Sequence, residues 1–298
     1  MGKFYNPDNS ARFISTFRVR PGHRISLRDF DPAYKPKDIE KEGAEELLQE
    51  QIERLAEWQT RLFAQNTYSL LIVLQAPDAA GKDSVIKHVM SGVNPQGCQV
   101  VSFKVPSAEE LDHDYLWRSL KALPERGRIG IFNRSYYEEV LVVRVHPEFL
   151  QKQSIPGDDV KGSLWKKRYE DINAVEKYLS RNGTVILKFF LNVSRKEQKE
   201  RFLERMNTPE KNWKYSAADV KERSYWKEYM SAYEEMLGST STQWAPWHVI
   251  PADHKWFTRV LVARIIIDKL KSLKLSYPRL TEQQQADLLK AKESLLRE

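Results

Sequence analysis

Short, continuous runs of apolar residues recur along this chain, and a stretch with helical spacing of apolar positions follows most of them. The clearest run is Leu70–Leu74, in which five apolar residues stand together instead of alternating with polar ones. That pattern is typical of a strand buried on both faces, as in a parallel sheet covered by helices. Further runs predict strands at Cys98–Val105, Arg128–Phe132, Thr184–Leu191 and Trp247–Ile250. Strands that alternate with helices predict an α/β fold with a parallel sheet of about five strands.

The remaining pattern predicts how the chain is divided. Residues 1–40 are polar and contain four prolines, which indicates an irregular N-terminal arm, and residues 41–298 are predicted to form one domain. Residues 41–64 have the apolar spacing of an amphipathic helix. A basic helix, a polar loop and a second helix over residues 195–226 predict a hinged lid, with a solvated charged surface as the alternative. A polar C-terminal helix at 281–297 is expected to serve contacts in a homo-oligomer, a dimer or a tetramer.

Composition limits the compartment and the class of partner. No apolar run approaches the ~20 residues that a membrane-spanning helix needs, so no membrane partner is expected. A single cysteine, Cys98, and an N-terminus without the apolar core of a signal peptide predict a cytoplasmic protein. The net charge of +7 fits a polyanionic partner, although solubility alone also explains it.

The segment Leu70–Ser84 is the first candidate for chemistry. Its apolar run ends at a small-residue turn with a Gly-Lys pair, and a helix follows, which is the layout of a phosphate-binding loop. The consensus G-x-x-x-x-G-K-[ST] is not met literally, because Ala76 replaces the first Gly and Asp83 replaces the Ser or Thr. An ordinary strand-to-helix turn, with Asp83 in the first helical turn, is therefore the alternative.

These parts together can support phosphoryl transfer, which requires positioning, a metal ion and cations around the moving group. Lys82 would bridge phosphate oxygens, and Arg134, at the end of a buried strand, can bind phosphate through two hydrogen bonds. Asp78 and Asp83 are the expected ligands of Mg²⁺, with Mn²⁺ as the alternative ion. An internal ion pair between Asp78 and Arg134 is the structural alternative. Basic side chains are expected to form the anion-binding groove and the lid: Lys104, Arg201, Arg205, Lys211, Lys214 and Arg223.

Other chemistries have weaker support. The six histidines are scattered without metal-ligand spacing, and one cysteine cannot form a thiolate metal site. The chain contains neither a G-x-S-x-G nucleophile elbow nor an N-K-x-D guanine motif. A non-catalytic polyanion-binding or RNA-binding protein is the alternative from another class, although nucleic acid is not the expected partner.

Eight sequence blocks resemble the polyphosphate kinase 2 family of the P-loop kinase group, and the resemblance covers about residues 12–275. The blocks are QAPDAAGKDS (75–84), GVNPQG (92–97), SFKVPS (102–107), HDYLWR (113–118), IGIFNRSYYEEVLVVRV (129–145), LKFFLNVSRKEQKERFLER (187–205), NWKYSAADVKERSYW (212–226) and APWHVIPADHKWF (245–257).

The resemblance implies a three-layer α/β/α sandwich with a helical lid, and reversible transfer of a phosphoryl group from inorganic polyphosphate to a nucleotide. Asn133 together with Glu138 is similar to the family's class III pattern, whose members phosphorylate nucleoside mono- and diphosphates and so convert AMP through ADP to ATP. Pro77, Ser84 and Tyr136 stand where the family pattern has Met, Gly and His, and Tyr136 is expected to be a polar neighbour of Arg134. An ATP-dependent nucleoside monophosphate kinase of the thymidylate kinase type is the nearest alternative.

The site residues follow from both lines of reasoning. The predicted catalytic residues are Asp78, Lys82, Asn133, Arg134 and Glu138. The predicted substrate-binding residues are Ala79, Ala80, Gly81, Asp83, Ser84, Lys104, Arg201, Arg205, Lys211, Lys214 and Arg223. The predicted metal ligands are Asp78 and Asp83.

Overall fold

A computed structural model describes residues 12–37, 39–155, 163–214 and 216–298 of the chain, and only the backbone of Lys214. Its centre is a five-stranded sheet in the order β2-β3-β1-β4-β5, in which every pairing is parallel. The strands are β1 (Ser69–Gln75), β2 (Cys98–Ser102), β3 (Ile129–Asn133), β4 (Thr184–Asn192) and β5 (Trp247–Pro251). The predicted sheet is confirmed, and β1, which carries the candidate loop at its end, lies in the middle.

Strand β2 is shorter than predicted, because it ends at Ser102 and not at Val105. After Ser102 the backbone makes one more contact with the neighbouring strand, from the Phe103 N–H to the Asn133 carbonyl at 3.2 Å. The chain then leaves the sheet, and Val105 is 90% exposed. The apolar character of Val105 therefore reflects neither strand pairing nor core packing.

Helices occupy both faces of the sheet. Their bounds are α1 (Lys41–Gln65), α2 (Lys82–Val89), α3 (Ala108–Leu111), α4 (Trp117–Lys121), α5 (Val142–Val145), α6 (Leu164–Arg181), α7 (Arg195–Asn207), α8 (Ala217–Glu222), α9 (Trp226–Thr240), α10 (Lys255–Ser272) and α11 (Glu282–Leu295). Short 3₁₀ helices lie at Leu27–Asp29, Pro95–Gly97, Tyr136–Val140, Pro147–Lys152, Pro209–Lys214 and Arg223–Tyr225.

The continuous apolar run of β1 is explained by two cores, one on each face of the sheet. Leu70 and Ile72 pack into a cluster that includes residues of α1, α2 and α10. Leu71 and Val73 point the other way, into a cluster that includes residues of α6 and α9. Successive residues of a strand face opposite sides, so a strand covered on both sides needs apolar residues at every position. The predicted α/β/α sandwich is confirmed.

The N-terminal arm covers the outer edge of β5. The Val19 N–H donates to the Trp247 carbonyl at 2.9 Å, and the Val249 N–H donates to the Phe17 carbonyl at 2.8 Å. These bonds satisfy backbone groups that an uncovered edge strand would expose. The segment Phe17–Val19 of the arm thus pairs with β5.

The C-terminal helix α11 begins with a capping box between Thr281 and Gln284, and its residues are exposed. Because the structure describes a single chain, a role of α11 in homo-oligomer contacts stays a prediction. Among the described residues, no helix combines the length and the apolar character needed to cross a membrane.

A buried imidazole on β5 predicts loss of stability in acid. His248 is 4% exposed, and burial, together with nearby Arg18 and Lys269, lowers its pKa from 6.5 to about 4. Because the unfolded chain then binds a proton that the folded chain does not, stability is lost as the pH falls from 6.5 to about 4. The expected loss is about 3 kcal/mol. Denaturant unfolding of wild type and His248→Gln across this range should show a flatter profile in the variant.

The exposed His23 offers the matched control, and His23→Gln should keep the wild-type profile. Identical pH profiles for wild type and His248→Gln would contradict the assignment to His248.

Candidate active site

The segment between β1 and α2 forms the turn that a phosphate-binding loop requires. Gly81 is the N-cap residue of α2 and has a φ of 111°, a conformation that glycine adopts without steric cost. Ala79 also has a positive φ, 59°, which costs an L-residue about 1–2 kcal/mol. The N–H groups at the start of α2 and the positive end of its dipole face this turn, an arrangement that favours an anion.

Lys82, the first residue of α2, folds back over the loop. Its Nζ donates to the Ala76 carbonyl at 2.9 Å and to the Pro77 carbonyl at 3.4 Å. Burial lowers the pKa of Lys82, and the charge of Arg134 lowers it further. The charges of Asp78, Glu138 and Asp83 oppose that decrease, and a phosphate group at the loop would add to their stabilisation of the ammonium.

Arg201, on α7, supports the loop through hydrogen bonds to its backbone. It is 6% exposed, and its guanidinium donates to the carbonyls of Ala79 at 3.1 Å and Ala80 at 2.7 Å. It also donates to the carbonyls of Ala252 and Asp253 and pairs with Glu197 at 2.7 Å. The expectation that Arg201 is a lid cation does not fit this position, because all of these bonds fix it inside the protein.

Arg134 follows β3 and connects two predicted carboxylates. It has a φ of 64°, and its backbone N–H donates to the Leu74 carbonyl at 3.1 Å. Its guanidinium lies 2.8 Å from Asp78 Oδ1 and 3.7 Å from Glu138 Oε2. Glu138 is the main reason that the pKa of Arg134 is raised. The internal Asp78–Arg134 pair therefore exists, and the partly exposed Arg134 remains open to an incoming anion.

Glu138 projects into the site from the 3₁₀ helix Tyr136–Val140. Its side chain is 16% exposed, and burial raises its pKa more than the charges of Arg134 and Lys82 lower it. Gln75, at the end of β1, has its amide beside Glu138 and Ser135; with the nitrogen toward Glu138, it donates to Glu138 Oε1 at 2.9 Å. Gln75 was not predicted, although a polar residue at the end of a buried strand is a usable signal.

Asn133 and Asp83 are directly bonded across the site. The Asn133 Nδ2 donates to Asp83 Oδ1 at 2.8 Å and lies 3.4 Å from Ser102 Oγ. Ser84 is close by and accepts a hydrogen bond from Arg259 at 2.8 Å. Asp83 thus lies in the first turn of α2, where the helix dipole favours it, and also faces the end of β3.

The predicted lid consists of α7, a 3₁₀ helix, α8 and a second 3₁₀ helix before α9. Arg205 lies 3.4 Å from Asp219 Oδ2, and Lys211 lies 2.6 Å from Glu204 Oε1. Arg223 donates to Gln198 Oε1 and to the Arg195 carbonyl. The side chain of Lys214 lies outside the described residues. These lid cations therefore have protein partners in this conformation, which a bound polyanion would have to displace or extend.

Lys104 lies apart from the lid, after β2, and is exposed. Its backbone carbonyl accepts a hydrogen bond from Arg118 at 2.9 Å, which fixes the turn after the strand. Lys104 follows the carboxyl end of β2, and the phosphate loop follows the carboxyl end of β1 in the same parallel sheet, so its place in an anion-binding groove stays a prediction.

Two lid-side residues near the loop were missed by sequence reasoning. Gln198 donates from Nε2 to the Asp78 carbonyl at 2.9 Å and joins the loop to Arg223. Burial raises the pKa of Asp219, and the nearby Asp78 raises it further. Neither residue had a signal in the sequence, because each is one polar residue on a helix already rich in charge.

The donor set is compatible with a magnesium ion shared with a phosphate group. Among the described residues, no three His, Cys, Asp or Glu side chains converge as a ready-made metal cluster. Mg²⁺ generally takes one or two carboxylates and completes its shell with water and phosphate oxygens. Asp78 precedes Lys82 in the loop and Asp83 lies in the first turn of α2, and both are carboxylates of the kind that Mg²⁺ takes.

Comparisons with known proteins agree on one family. The family model described as polyphosphate kinase 2 (PPK2) matches residues 37–278. The chain is 52% identical over 282 residues to the ADP-polyphosphate phosphotransferase of Rhodopseudomonas palustris, covering 94% of this chain and 98% of that protein. It is 43% identical over 266 residues to the AMP/ADP-polyphosphate phosphotransferase of Meiothermus ruber, covering 89% and 96%.

A solved structure extends this agreement to the fold. The crystal structure of polyphosphate kinase 2 from Arthrobacter aurescens TC1 matches with a TM-score of 0.84 and 39% sequence identity, covering 95% of this chain and 96% of that one. The matches span the loop after β1, the Asn133–Glu138 segment and the predicted lid. The chain therefore belongs to the polyphosphate kinase 2 family.

Proposed function

We propose that this enzyme transfers the terminal phosphoryl group of inorganic polyphosphate to AMP and ADP, in a reversible reaction. The observation that carries the proposal is the convergence of Lys82, Asp78, Arg134 and Glu138 at the carboxyl edge of the sheet, in a chain of this family. Its single cysteine, Cys98, suits the reducing cytoplasm, where we place the enzyme.

The reaction forms a bond between the transferred phosphorus and a terminal phosphate oxygen of the acceptor, and it breaks the bond to the next phosphate of the chain. An acceptor phosphate needs no proton removed, so the protein contributes mainly positioning and charge stabilisation. Lys82 and the N–H groups of the loop hold phosphate oxygens. Arg134, next to both carboxylates, stabilises negative charge on the moving group.

We infer that Asp78 and Asp83 hold Mg²⁺, or Mn²⁺ in its place, together with phosphate oxygens and water. When bound, such an ion neutralises phosphate charge and orients the reacting groups. The Asn133 amide, which bonds to Asp83 at 2.8 Å, would then orient one of the two ligands. Second-sphere contacts of this kind commonly fix the geometry of a ligand.

The acceptor range is the finer part of the proposal, because the two relatives differ in name. One is named for ADP, and the other for AMP and ADP. We propose that this chain uses both acceptors, since Asn133 leaves an uncharged side chain beside Asp83 while Glu138 supplies a carboxylate further along. AMP is shorter than ADP by one phosphate, so it has to enter the site more deeply for its terminal phosphate to reach the transferred group. A charge at position 133 would therefore affect the rate with AMP more than the rate with ADP.

The test is a time course with Mg²⁺ in which AMP is offered with polyphosphate, with ATP or with no donor. We expect ADP and then ATP to accumulate only with polyphosphate. Conversion of AMP to ADP with ATP alone would favour the thymidylate kinase type of reaction. Absence of turnover with every donor would favour a polyanion-binding protein.

The acceptor hypothesis predicts that Asn133→Asp lowers the ratio of the AMP rate to the ADP rate by about tenfold, or ~1.4 kcal/mol of differential barrier. The added carboxylate would face Asp83, where the present amide donates a hydrogen bond, and would repel the more deeply placed AMP phosphate. Glu138→Ala should also change the ratio. Initial rates with each acceptor, at saturating polyphosphate, measure it.

Glu109→Ala, an exposed carboxylate on α3, is the control for a general loss of negative charge. Glu109→Ala should keep the wild-type rate ratio. The hypothesis is wrong if Asn133→Asp and Glu138→Ala also keep it.

A further inference from the structure

A fully buried ion pair lies behind the segment that presents Glu138. Lys188 on β4 and Glu176 on α6 are both 0% exposed, and Lys188 Nζ lies 2.6 Å from Glu176 Oε2. Neither side chain reaches the phosphate loop, and no step proposed above uses them. Burying two charges is costly, and apolar residues of similar volume often give equal or greater stability. Stability alone therefore does not explain the pair.

Two tyrosine hydroxyls complete the network. The hydroxyls of Tyr136 and Tyr137 both donate to Glu176 Oε1 at 2.8 Å. Lys188 Nζ donates to the Tyr137 hydroxyl at 2.8 Å and to the Thr240 carbonyl at 2.7 Å, so its three protons all have partners. Burial and Glu176 raise the pKa of both tyrosines, which keeps both hydroxyls protonated as donors.

The network joins the segment that carries Glu138 to the C-terminal end of α9. Tyr136 and Tyr137 begin the 3₁₀ helix that carries Glu138, two residues after Arg134. Thr240 is the last residue of α9, and α9 begins directly after the predicted lid. Lys188 thus bonds at one nitrogen to the Glu138 segment and to the helix that follows the lid.

We propose that Tyr137, Lys188 and Glu176 are positioning residues for phosphoryl transfer, which hold the 3₁₀ helix Tyr136–Val140 so that Glu138 faces the transferring group. This inference rests on the proposed function. A catalytic group displaced by a fraction of an ångström loses rate, and buried hydrogen-bond networks with every member satisfied restrict such displacement. The Tyr137 hydroxyl is the key member, because it both donates to Glu176 and accepts from Lys188.

Tyr137→Phe is the variant that separates position from packing. The ring packs edge-on against Trp247, with centroids 4.8 Å apart, and phenylalanine keeps that contact while removing the hydroxyl. We expect kcat with polyphosphate and ADP to fall about tenfold while the KM for each substrate changes less than about twofold. Tyr178→Phe is the matched control, since Tyr178 is 66% exposed on α6, and it should keep the wild-type kcat.

A double-mutant cycle tests whether Tyr137 acts through Glu138. In a Glu138→Gln background, Tyr137→Phe should change kcat less than about twofold, because the group it positions is already altered. A tenfold loss in both backgrounds would show an independent effect on the fold and would overturn the proposal. An unchanged kcat for Tyr137→Phe alone would overturn it as well.

A fully apolar replacement covers the case in which Tyr137→Phe fails to fold. Tyr136→Phe, Tyr137→Phe, Glu176→Met and Lys188→Met together remove every charge and hydroxyl of the network and leave no buried ion. We expect this protein to unfold at a temperature near that of wild type but with kcat reduced about tenfold or more. Wild-type kcat in this variant would overturn the inference. Lack of polyphosphate-driven transfer by the wild type would instead overturn the proposed function.

Discussion

Lys82→Met is expected to lower kcat/KM for polyphosphate-driven phosphorylation of ADP on the order of 10³-fold, or about 4 kcal/mol of transition-state stabilisation. The Lys82 ammonium is held at the loop by the Ala76 carbonyl at 2.9 Å, within reach of a phosphate placed there. Methionine keeps much of the side-chain length and removes the charge. Initial rates over a range of polyphosphate and ADP concentrations measure the loss.

The fold should survive this change. Burial lowers the pKa of Lys82, which means that a charged ammonium at this place carries a desolvation cost. Methionine removes that cost, and the nearby carboxylates of Asp78 and Glu138 keep Arg134 as their partner. The melting temperature of Lys82→Met should therefore stay within a few degrees of that of wild type. Lys87→Met, an exposed lysine on the same helix, is the control and should keep wild-type kinetics. Wild-type kcat/KM in Lys82→Met would remove the phosphate loop from the mechanism.

The parts of the fold that repeat simple patterns could be predicted from the sequence. The continuous apolar run Leu70–Leu74 predicted a strand buried on both faces. The two cores on either side of β1 confirm this prediction. The placement of Lys82 and Arg134 followed equally well, because the carboxyl ends of parallel strands meet at one edge. Both residues lie next to strands that are neighbours in the sheet, β1 and β3.

Side-chain direction could not be predicted, because it depends on which elements pack together. Tyr136 was expected to be a polar neighbour of Arg134, but its ring is 4% exposed and its hydroxyl bonds to Glu176 on a distant helix. The buried lysine of β4, Lys188, was visible as one polar residue in an apolar strand. Its partner Glu176 had no such signal, because it is one of several charged residues on α6. Only the tertiary contact of 2.6 Å between their side chains identifies the pair.

Arg201 shows the same limit with the larger consequence. On sequence it is one of several basic residues of α7, all compatible with a lid. The tertiary structure directs its guanidinium to four backbone carbonyls, two in the phosphate loop and two after β5. Its positive charge is thus shared between the loop and Glu197, and its geometry is set by the backbone it holds.

Arg201→Met is therefore expected to reduce both stability and activity. Glu197, the ion-pair partner of Arg201, is 25% exposed, so the main cost comes from the loop carbonyls. Leaving buried carbonyls without donors costs about 1–3 kcal/mol for each group, so we expect a total loss on the order of 4 kcal/mol. For a chain of this size such a loss corresponds to a melting temperature lower by roughly 10 °C. We also expect kcat to fall by on the order of 10²-fold, because the left-handed conformation at Ala79 loses the bond that holds it.

Arg201→Lys distinguishes this support of the loop from direct binding of polyphosphate. Lysine keeps the positive charge but has one nitrogen, whereas two nitrogens of the arginine side chain reach four carbonyls. If the backbone contacts matter, Arg201→Lys should therefore be nearly as unstable as Arg201→Met. Arg205→Met, on the same helix but paired with Asp219 at the lid, should leave the melting temperature unchanged and raise the KM for polyphosphate. A stable Arg201→Met protein with normal kcat and a raised KM for polyphosphate would mean that Arg201 binds substrate as the sequence suggested. The melting temperature, measured without substrate, separates support of the loop from binding of polyphosphate. Substitution of a residue that supports the loop lowers it, whereas substitution of a residue that only binds substrate does not.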